Sequence, residues 1–415
     1  MMLQLDGKAS RPMARKILLV SHEYPPCIGG TATYARELAR AASEQGYCVE
    51  VFCPAYGQPA SQEQVSATLT VTRFPGGIFR PRRDLLRFAA RLRAKMRNRY
   101  DIVHGVDPAS QMGFQFLART VGLPCPFFLT ANGTEVLIYQ RFRRYRWLMS
   151  DVFRRAAHTV AVSRASAELL RSFDAALDPS RVSVVYHGLP SQPPCAQNAR
   201  ETVRRQLNIA ADHFVVLTVA RLIPSKGHLF VLRALARLPT ALRATMTYLI
   251  AGAGDNAYRR TLVEEARRAG VHLVMLGRVE HTDLPPYYAA ADVLALLSDP
   301  AEFESFGLVV LEAAAHGLPG IGSNVGGIPE VIADGETGLI VDPEHPAAVA
   351  AVLQRLFRDR QELRALGAAA RSRAATFTWE RAARLTYGTF ERVLAGSCQP
   401  GDAPGSIVST DGEDA

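Results

Sequence analysis

The sequence predicts an α/β protein of two domains, each a parallel sheet covered by helices. Short apolar runs alternate with helical patterns along the whole chain, as in successive βαβ units. The chain has 415 residues, 48% of them hydrophobic, so it is too long for one ordinary domain and can bury two cores. The predicted strands are KILLV, VEVFC, IVHGV, FFLTA and VSVVY in the first half, and VVLTVA, MTYLI, HLVML, DVLALL and GLIV in the second.

The expected domain boundaries lie in the stretches with the weakest helix or strand pattern. The stretch SQPPCAQN is rich in proline and polar residues, which suits a linker and hinge. The last residues are small, polar and acidic, a composition typical of disorder. The expected organisation is a disordered N-terminus 1–14, an N-terminal domain 15–190, a linker 191–198, a C-terminal domain 199–375, a terminal helix 376–396 and a disordered tail 397–415.

Composition narrows the class of protein. The six cysteines form no CxxC pair and the ten histidines form no HxH or HExxH motif, so no metal site is expected. The N-terminal apolar run ILLV is too short for a signal peptide core, and no apolar stretch approaches the length of a membrane span. A cytosolic protein is expected. The net charge of +9 allows a nucleic-acid binder, but no readout motif accompanies it, and no nucleic acid is expected as a partner.

The segment EFESFGLVVLEAAAH carries the strongest functional signal. Good helix formers run from Leu308 to Ala315 and Gly317 follows, a residue typical of a helix C-terminus. The predicted helix start leaves N–H groups for a phosphate or sugar oxygen, and Gly307 allows close approach. Glu304 before the helix and Glu312 within it can grip hydroxyls along one extended ligand. Without other signals, two glutamates at this spacing are usually solvated.

Two further segments lie where open α/β sheets bind ligands. In VARLIPSKG, Arg221 follows a predicted strand and Lys226 precedes a helix, so two cations suited to a diphosphate cluster there. In SHEYPPCIGG, Gly29 and Gly30 precede a helix and permit a tight turn with close approach of a ligand. A surface loop and a plain strand-to-helix turn are the alternatives.

With these segments the chain resembles the retaining glycosyltransferases of family 4, or group 1, which have the GT-B fold. The resemblance runs from about Lys16 to about Leu394. It implies two Rossmann-like domains facing a cleft and a C-terminal helix that crosses back to the N-terminal domain. The landmarks are the Gly29-Gly30 loop, VSRASAELL, VVYHGL, VARLIPSKG, LIAGAGD, MLGRV, EFESFGLVVLEAAAHGLP and GGIPEVIADGETGLIVDP.

The resemblance implies a retaining hexosyltransferase that uses a nucleotide-sugar donor, UDP- or GDP-linked, and a glycan or lipid-linked acceptor in polysaccharide or glycolipid synthesis. Arg221 and Lys226 would bind the diphosphate, Glu312 the ribose and Glu304 the transferred sugar, with Asn132 beside them as a catalytic candidate. No cofactor is implied, and the chain has no Asp-x-Asp metal motif. The remaining donor residues are Gly30, Gly252, Gly277, Phe306, Gly307 and Leu308, and the acceptor loop contains Glu23, Gly29 and Gly30.

Two positions depart from the family pattern. Asn132 stands where many relatives have histidine, and an amide cannot accept a proton, so a side-chain base at this position is in doubt. His187 stands before Gly188 where relatives often have asparagine, and we interpret it as structural.

Two alternatives to a glycosyltransferase stay open, an oxidoreductase and a binding protein. Gly252, Gly254 and Ala257 match the G-x-G-x-x-A pattern of dinucleotide-binding oxidoreductases, although the motif lies in mid-chain and no carboxylate follows at the expected distance. The second is a GT-B-like binding protein without catalytic activity.

A basic segment in the N-terminal domain predicts a surface that binds a membrane holding the acceptor. RPRRDLLRFAARLRAKMRNR, read as a helix from about Asp84, has one apolar side and one side with Arg87, Arg91 and Lys95. With YQRFRRYRW at 139–147, it could rest on an anionic membrane where a lipid-linked acceptor is held. The alternative is a solvated basic face whose apolar side packs on the sheet.

Overall fold

The computed structural model describes residues 15–27, 29–140, 143–189 and 196–396, without the side chains of 143–145. The termini expected to be disordered lie outside these residues, as do five residues of the expected linker and the centre of YQRFRRYRW.

The N-terminal domain has an eight-stranded sheet in the order β3-β4-β2-β1-β5-β6-β7-β8, parallel except for β3. Its strands are β1 (Lys16–Val20), β2 (Cys48–Pro54), β3 (Ser61–Gln64), β4 (Leu69–Phe74), β5 (Ile102–Gly105), β6 (Phe127–Ala131), β7 (His158–Ala161) and β8 (Val182–Val184). Its helices are α1 (Gly30–Glu44), α2 (Pro81–Met96), α3 (Pro108–Thr120), α4 (Thr134–Gln140), α5 (Arg143–Arg155) and α6 (Arg164–Phe173).

The C-terminal domain has a parallel six-stranded sheet in the order β11-β10-β9-β12-β13-β14. Its strands are β9 (Phe214–Val219), β10 (Met246–Ala251), β11 (His272–Gly277), β12 (Val293–Leu296), β13 (Gly320–Ser323) and β14 (Gly338–Val341). The helices are α7 (Ala199–Gln206), α8 (His228–Ala236), α9 (Thr240–Arg243), α10 (Asn256–Ala269), α11 (Pro285–Ala290), α12 (Leu308–Ala315), α13 (Ile328–Val331), α14 (Pro346–Arg358), α15 (Arg360–Ala374) and α16 (Trp379–Leu394).

Helix α16 crosses back to the N-terminal domain, which confirms the expected path of the chain. Trp379, Tyr387 and Phe390 are at most 1% exposed and belong to the core between α1 and the N-terminal sheet. The crossing point has almost no free space, because a Cβ on Gly188 would lie 2.2 Å from the backbone nitrogen of Trp379. The backbone N–H of Leu189 also donates to the carbonyl of Phe377 at 2.9 Å.

Helix α2 begins at Pro81, three residues earlier than expected, because proline suits the first turn of a helix. Its apolar residues Phe88, Leu92 and Met96 are buried in the N-terminal core. None of the helices in the described ranges combines the length and apolar character that a membrane crossing requires.

Candidate active site between the two domains

The loops after β9 and β12 bring two of the proposed catalytic residues into contact. Lys226 Nζ lies 2.5 Å from Glu304 Oε2, and both side chains are at most 20% exposed. Gly227 has φ +74°, and a Cβ there would lie 1.6 Å from the carbonyl oxygen of Leu297. The glycine therefore lets the two loops meet. Arg221, the other predicted diphosphate ligand, is exposed in the same loop as Lys226.

The entry to α12 is built for close approach of a ligand. Gly307 is the N-cap, with φ 81° and ψ 43°, and no side chain caps the helix. Leu308 therefore starts a helix whose first N–H groups are available for an anion. Phe306 is 2% exposed and anchors the loop. A neighbouring glycine pair, Gly326 and Gly327, also holds this loop, since the N–H of Gly327 donates to the carbonyl of Glu304 at 2.8 Å.

Glu312 lies just over one turn into α12 but does not join the Lys226–Glu304 pair. Its side chain is 5% exposed, and both carboxylate oxygens have partners. His281 Nε2 lies 2.8 Å from Oε1, and the Tyr288 hydroxyl donates to Oε2 at 2.9 Å. The hydrogen bond to Glu312 raises the pKa of His281. His281 and Tyr288 therefore fix the orientation of the Glu312 carboxylate, which is the predicted ligand of the ribose hydroxyls.

The His281–Glu312 pair predicts a pH-dependent stability. Because the folded-state pKa of His281 is raised above its unfolded value of about 6.5, the pair stabilises fully below that value and loses this contribution as pH rises through the raised pKa. The free energy of unfolding of the wild type should thus exceed that of His281→Gln by more at pH 6 than at pH 8.5. Denaturant titrations at both pH values measure this. Arg259→Gln, at an exposed position of the same domain, is the control. A difference between the wild type and His281→Gln that does not depend on pH would contradict the linkage.

In the N-terminal domain, Asp107 holds the loop after β1. Its Oδ2 accepts from the backbone N–H groups of His22 and Glu23 and from the Ser21 hydroxyl, while Oδ1 caps α3 through Ser110. This loop leads to the glycine pair. Burial raises the pKa of the Glu23 carboxyl, and the nearby Asp107 charge adds to the effect.

The glycine pair at the start of α1 leaves the cleft open. Gly29 is in an extended conformation, with φ 161°, and a Cβ on it would be 3.8 Å from Glu23 Oε2. A Cβ on Gly30 would have no neighbour within 4 Å in the described part of the chain. Neither glycine is therefore required for packing, and the space beside Gly30 suits a ligand.

Asn132, in the place of the family histidine, is fixed by the fold. It is 7% exposed, and its amide nitrogen donates to the carbonyl of Val106 at 3.0 Å. Its backbone N–H donates to Glu135 Oε1 at 2.7 Å. Glu135 is buried and its pKa is raised by that burial. The amide nitrogen of Asn132 thus already has a structural partner, and the role in catalysis stays a prediction.

The start of α6 binds the C-terminal domain directly. The Glu330 carboxylate accepts from the backbone N–H groups of Arg164 at 2.7 Å and Ala165 at 2.9 Å. The Ser163 hydroxyl donates to the carbonyl of Ser305, at 2.7 Å, within the donor loop. A carboxylate at the positive end of a helix dipole is favourable. Glu330 therefore stabilises the arrangement in which both domains contact the same loop.

Replacing Glu330 by glutamine should weaken closure of the cleft. The amide keeps the shape but loses the charge at the α6 N-terminus, a change of about 0.3–1 kcal/mol for an exposed helix end and more for a partly buried one. We expect kcat/KM to fall about three- to tenfold, with an increased radius of gyration in small-angle scattering. Glu336→Gln, at an exposed glutamate of the same segment, should match the wild type. An unchanged radius and rate would contradict the closing role.

His187 joins the two domains and the terminal helix. Its ring lies 5.0 Å from the rings of Tyr34 and Phe306 and 5.8 Å from Trp379. Burial lowers its pKa to about 3, so the ring is neutral. These contacts fit the structural interpretation of His187.

The two other glycines predicted to bind donor differ in their surroundings. A Cβ on Gly252 would lie 1.8 Å from the carbonyl oxygen of Ala220, so its lack of a side chain is explained by packing against the chain after β9. Gly277 has φ +72°, and a Cβ there would have no neighbour within 4 Å among the described residues. The end of β11 therefore has room for part of a ligand.

The sequence patterns missed five residues that build the site, namely Asp107, Ser163, His281, Tyr288 and Glu330. Asp107 and Ser163 do show a local signal, since each directly precedes a helix and suits an N-cap. Their partners, in the loop after β1 and in the loop before α12, lie far away in sequence and carry no such signal. Within the described ranges, no three His, Cys, Asp or Glu side chains group as potential metal ligands.

Two Rossmann-like domains with phosphate-suited loops facing one cleft define the GT-B class of glycosyltransferases. Residues 199–373 match the model "Glycosyl transferases group 1", and residues 28–192 match "Glycosyltransferase Family 4". The chain therefore belongs to the GT-B glycosyltransferases that join a family 4 domain to a group 1 domain. This finding confirms the resemblance and the fold class.

Sequence relatives include D-inositol 3-phosphate glycosyltransferases. The protein of Corynebacterium glutamicum is 35% identical over 235 residues, which is 55% of either chain, so the match covers about half of that relative's length. The protein of Paenarthrobacter aurescens is 29% identical over 90% of this chain and 95% of its own.

Solved structures share the fold. Sucrose-phosphate synthase from Thermosynechococcus elongatus has a TM-score of 0.77 at 24% identity, covering 92% of this chain and all of its own. Anabaena Alr3699/HepE, solved in complex with UDP and glucose, has a TM-score of 0.72 at 20% identity and covers 91% and 99%.

Proposed function

We propose that the protein is a retaining, metal-independent hexosyltransferase that moves a sugar from a nucleotide-sugar donor to a polyhydroxyl acceptor. The observation that carries the proposal is the Lys226–Glu304 pair beside the uncapped start of α12. It places a cation, a carboxylate and free helix N–H groups within one loop cluster. A diphosphate and a sugar ring, joined as in a nucleotide-sugar, need this combination.

The proposed chemistry is an exchange at the anomeric carbon. The bond from this carbon to the diphosphate oxygen breaks, and the acceptor hydroxyl attacks from the same face. Its proton passes to the departing phosphate. Arg221, Lys226 and the start of α12 stabilise the negative charge that develops on the leaving group, which is an electrostatic and preorganised contribution. Glu304 holds the sugar, and closure of the cleft excludes water that would hydrolyse the donor.

The donor is proposed to be a UDP-sugar before a GDP-sugar, because HepE is solved with UDP-glucose. The acceptors to test first are D-inositol 3-phosphate, named by the sequence relatives, and lipid-linked glycans. Mass spectrometry of product mixtures from a panel of UDP- and GDP-sugars tests the proposal. Formation of a glycosylated product with an α-linkage from an α-linked donor supports it, and an inverted linkage contradicts retention.

The alternatives make different predictions for the same protein. An oxidoreductase would be protected from thermal unfolding by NAD(P), and a binding protein without activity would be protected by a nucleotide-sugar but yield no product. The packing of Gly252 and Gly254 disfavours the dinucleotide site, since a Cβ on either would lie within 2.4 Å of a backbone oxygen. Packing alone therefore accounts for both glycines.

Peripheral membrane binding through α2 is the remaining part of the proposal. Arg87 is exposed, as are Leu86 and Ile78, whose side chains are 66% and 78% accessible. The other two predicted membrane-facing cations already have partners within the protein. Arg91 donates to the Pro75 carbonyl and Lys95 is paired with Glu50, which favours a solvated face at these two positions. Arg87 and the apolar pair are therefore the part of the surface that can meet a bilayer.

Liposome flotation tests this surface. Binding to anionic vesicles should weaken with salt, because surface charges are screened, and should be lost in Arg87→Glu with Leu86→Ser. Arg171→Glu, at an exposed arginine of α6, should bind as the wild type does. A wild type that stays unbound at low salt would favour a soluble acceptor.

A further inference from the structure

A cavity of about 510 Å³ opens at the opposite end of the C-terminal sheet from the donor loops. His213, Asp292 and Pro319 line it, and each directly precedes a strand, β9, β12 or β13. Arg221 and Glu304 follow β9 and β12 at the other end. Since the strands are four to six residues long and rise about 3.3 Å per residue, the cavity is separate from the donor site.

The cavity has more cations than its carboxylates can neutralise. Asp292 accepts from Arg200 Nη2 at 2.8 Å and Arg360 Nη1 at 3.3 Å on Oδ1, and from Arg204 Nη2 at 2.8 Å on Oδ2. Among the lining residues, Arg364 adds a further cation and Asp212 a further carboxylate. Three arginines, Arg200, Arg360 and Arg364, thus line the cavity with two aspartates, and Arg204 pairs with Asp292 behind the lining. Burial lowers the pKa of Arg204, and the charges of Arg200 and Arg360 oppose its attraction to Asp292.

The helix ends add to this positive potential. Arg200 and Arg360 lie in the first turns of α7 and α15, where the helix dipole is positive and a cation is unfavourable. Asn198 at the N-cap of α7 makes no side-chain cap hydrogen bond. The Asp359 carboxylate already caps α15 through the N–H groups of Gln361 and Glu362, so of these two helices only α7 lacks a side-chain cap. An anion in the cavity would offset the repulsion among the arginines and this one helix end.

We propose that this cavity is a second binding site, for a phosphate group held by Arg200, Arg360 and Arg364. Guanidinium groups bind phosphate oxygens in paired hydrogen bonds. The volume lies within the range of small-molecule sites, about 300–1,000 Å³, and exceeds the need of a bare phosphate ion. The ligand class is therefore inorganic phosphate or a phosphate monoester of about the size of a sugar.

One side chain, Tyr288, links the cavity to Glu312 of the candidate active site. Tyr288 lines the cavity, and its hydroxyl donates to Glu312 Oε2 at 2.9 Å. The ring of His316, also in the lining, stacks on Tyr288 with centroids 5.4 Å apart. A ligand that moves Tyr288 would change the orientation of Glu312. If Glu312 holds the ribose, as the proposed function states, the second site regulates donor affinity.

Calorimetric titration with inorganic phosphate and with glucose 6-phosphate, at constant ionic strength, tests the second site. The titration uses an Arg221→Ala, Lys226→Ala variant, whose donor loop no longer holds phosphate, so the result does not depend on the proposed function. We expect saturable binding that Arg364→Gln, added to this variant, weakens about tenfold. Adding Arg358→Gln, at an exposed arginine outside the cavity, should leave the affinity unchanged.

The outcomes are distinct. Tighter binding of glucose 6-phosphate than of inorganic phosphate identifies a phosphate monoester as the ligand, and the reverse order identifies free phosphate. Binding by the wild type alone would place the anion in the donor loops and overturn the second site. Equal affinity with and without Arg364→Gln would also overturn it. A variant Tyr288→Phe that binds the anion but no longer transmits an effect on the KM for donor would support the coupling.

Discussion

Replacing Arg221 by alanine should lower kcat by about 10²–10³-fold, or roughly 3–4 kcal/mol of transition-state stabilisation. Arg221 is exposed in the loop that contains Lys226, and its forked guanidinium is suited to two oxygens of the departing diphosphate. Its removal leaves Lys226 and the start of α12 to stabilise the developing charge. Initial rates with saturating donor and acceptor measure the effect.

The control is Arg237→Ala, at an exposed arginine that ends α8 on the same domain, and it should match the wild type. Activity should persist in EDTA. Strict dependence on a divalent ion would contradict the metal-independent mechanism. Wild-type turnover in Arg221→Ala would remove Arg221 from the diphosphate site.

Glu304→Gln should lower kcat by about 10²-fold or more, while Glu312→Ala should mainly raise the KM for donor. Glu304 contacts Lys226 at 2.5 Å, and the amide would lose this charge pairing in the loop proposed to hold the reacting sugar. Glu312 does not join that pair but contacts His281 and Tyr288, and in the proposed function it holds the ribose, a part of the donor that does not react. Full steady-state analysis of both variants separates the two roles.

The opposite pattern would mean that the two glutamates exchange roles. Glu302→Gln, in the same loop, is the matched control. Because Glu312 is buried, its variant also needs a thermal unfolding measurement, and a loss of folded protein would shift the test to Tyr288→Phe. That variant removes one orienting hydrogen bond and should raise the KM for donor without changing kcat.

The sequence predicted those helices and strands whose own residues carry a clear helix or strand pattern. Helix α12 has the bounds that its helix formers and Gly317 indicate, from Leu308 to Ala315. The predicted strands all occur, with shifts of one or two residues at their ends. Strands β3, β4, β7 and β13 were missed. The polar edge strand SQEQ and the glycine-rich GIGS lack the apolar β-branched pattern, so only their neighbours in the sheet make them strands.

The candidate site was predicted in its parts but not in its assembly. The spacing of Lys226 and Glu304 does not reveal their contact, because it depends on how the loops after two neighbouring strands meet at Gly227. The partners of Glu312 were missed for the same reason. His281 and Tyr288 are 31 and 24 residues away from it. Contacts between the domains, such as that of Glu330 with the start of α6, depend on tertiary packing alone.

The crossing of α16 has a consequence for the order in which the protein is made. The core of the N-terminal domain between α1 and its sheet contains Trp379, Tyr387 and Phe390, which the ribosome adds only after all the strands of the C-terminal sheet. The C-terminal domain has all its strands by residue 341. The half of the molecule that is synthesised first is therefore completed last, and until then it exposes an apolar groove along α1 that a chaperone can cover.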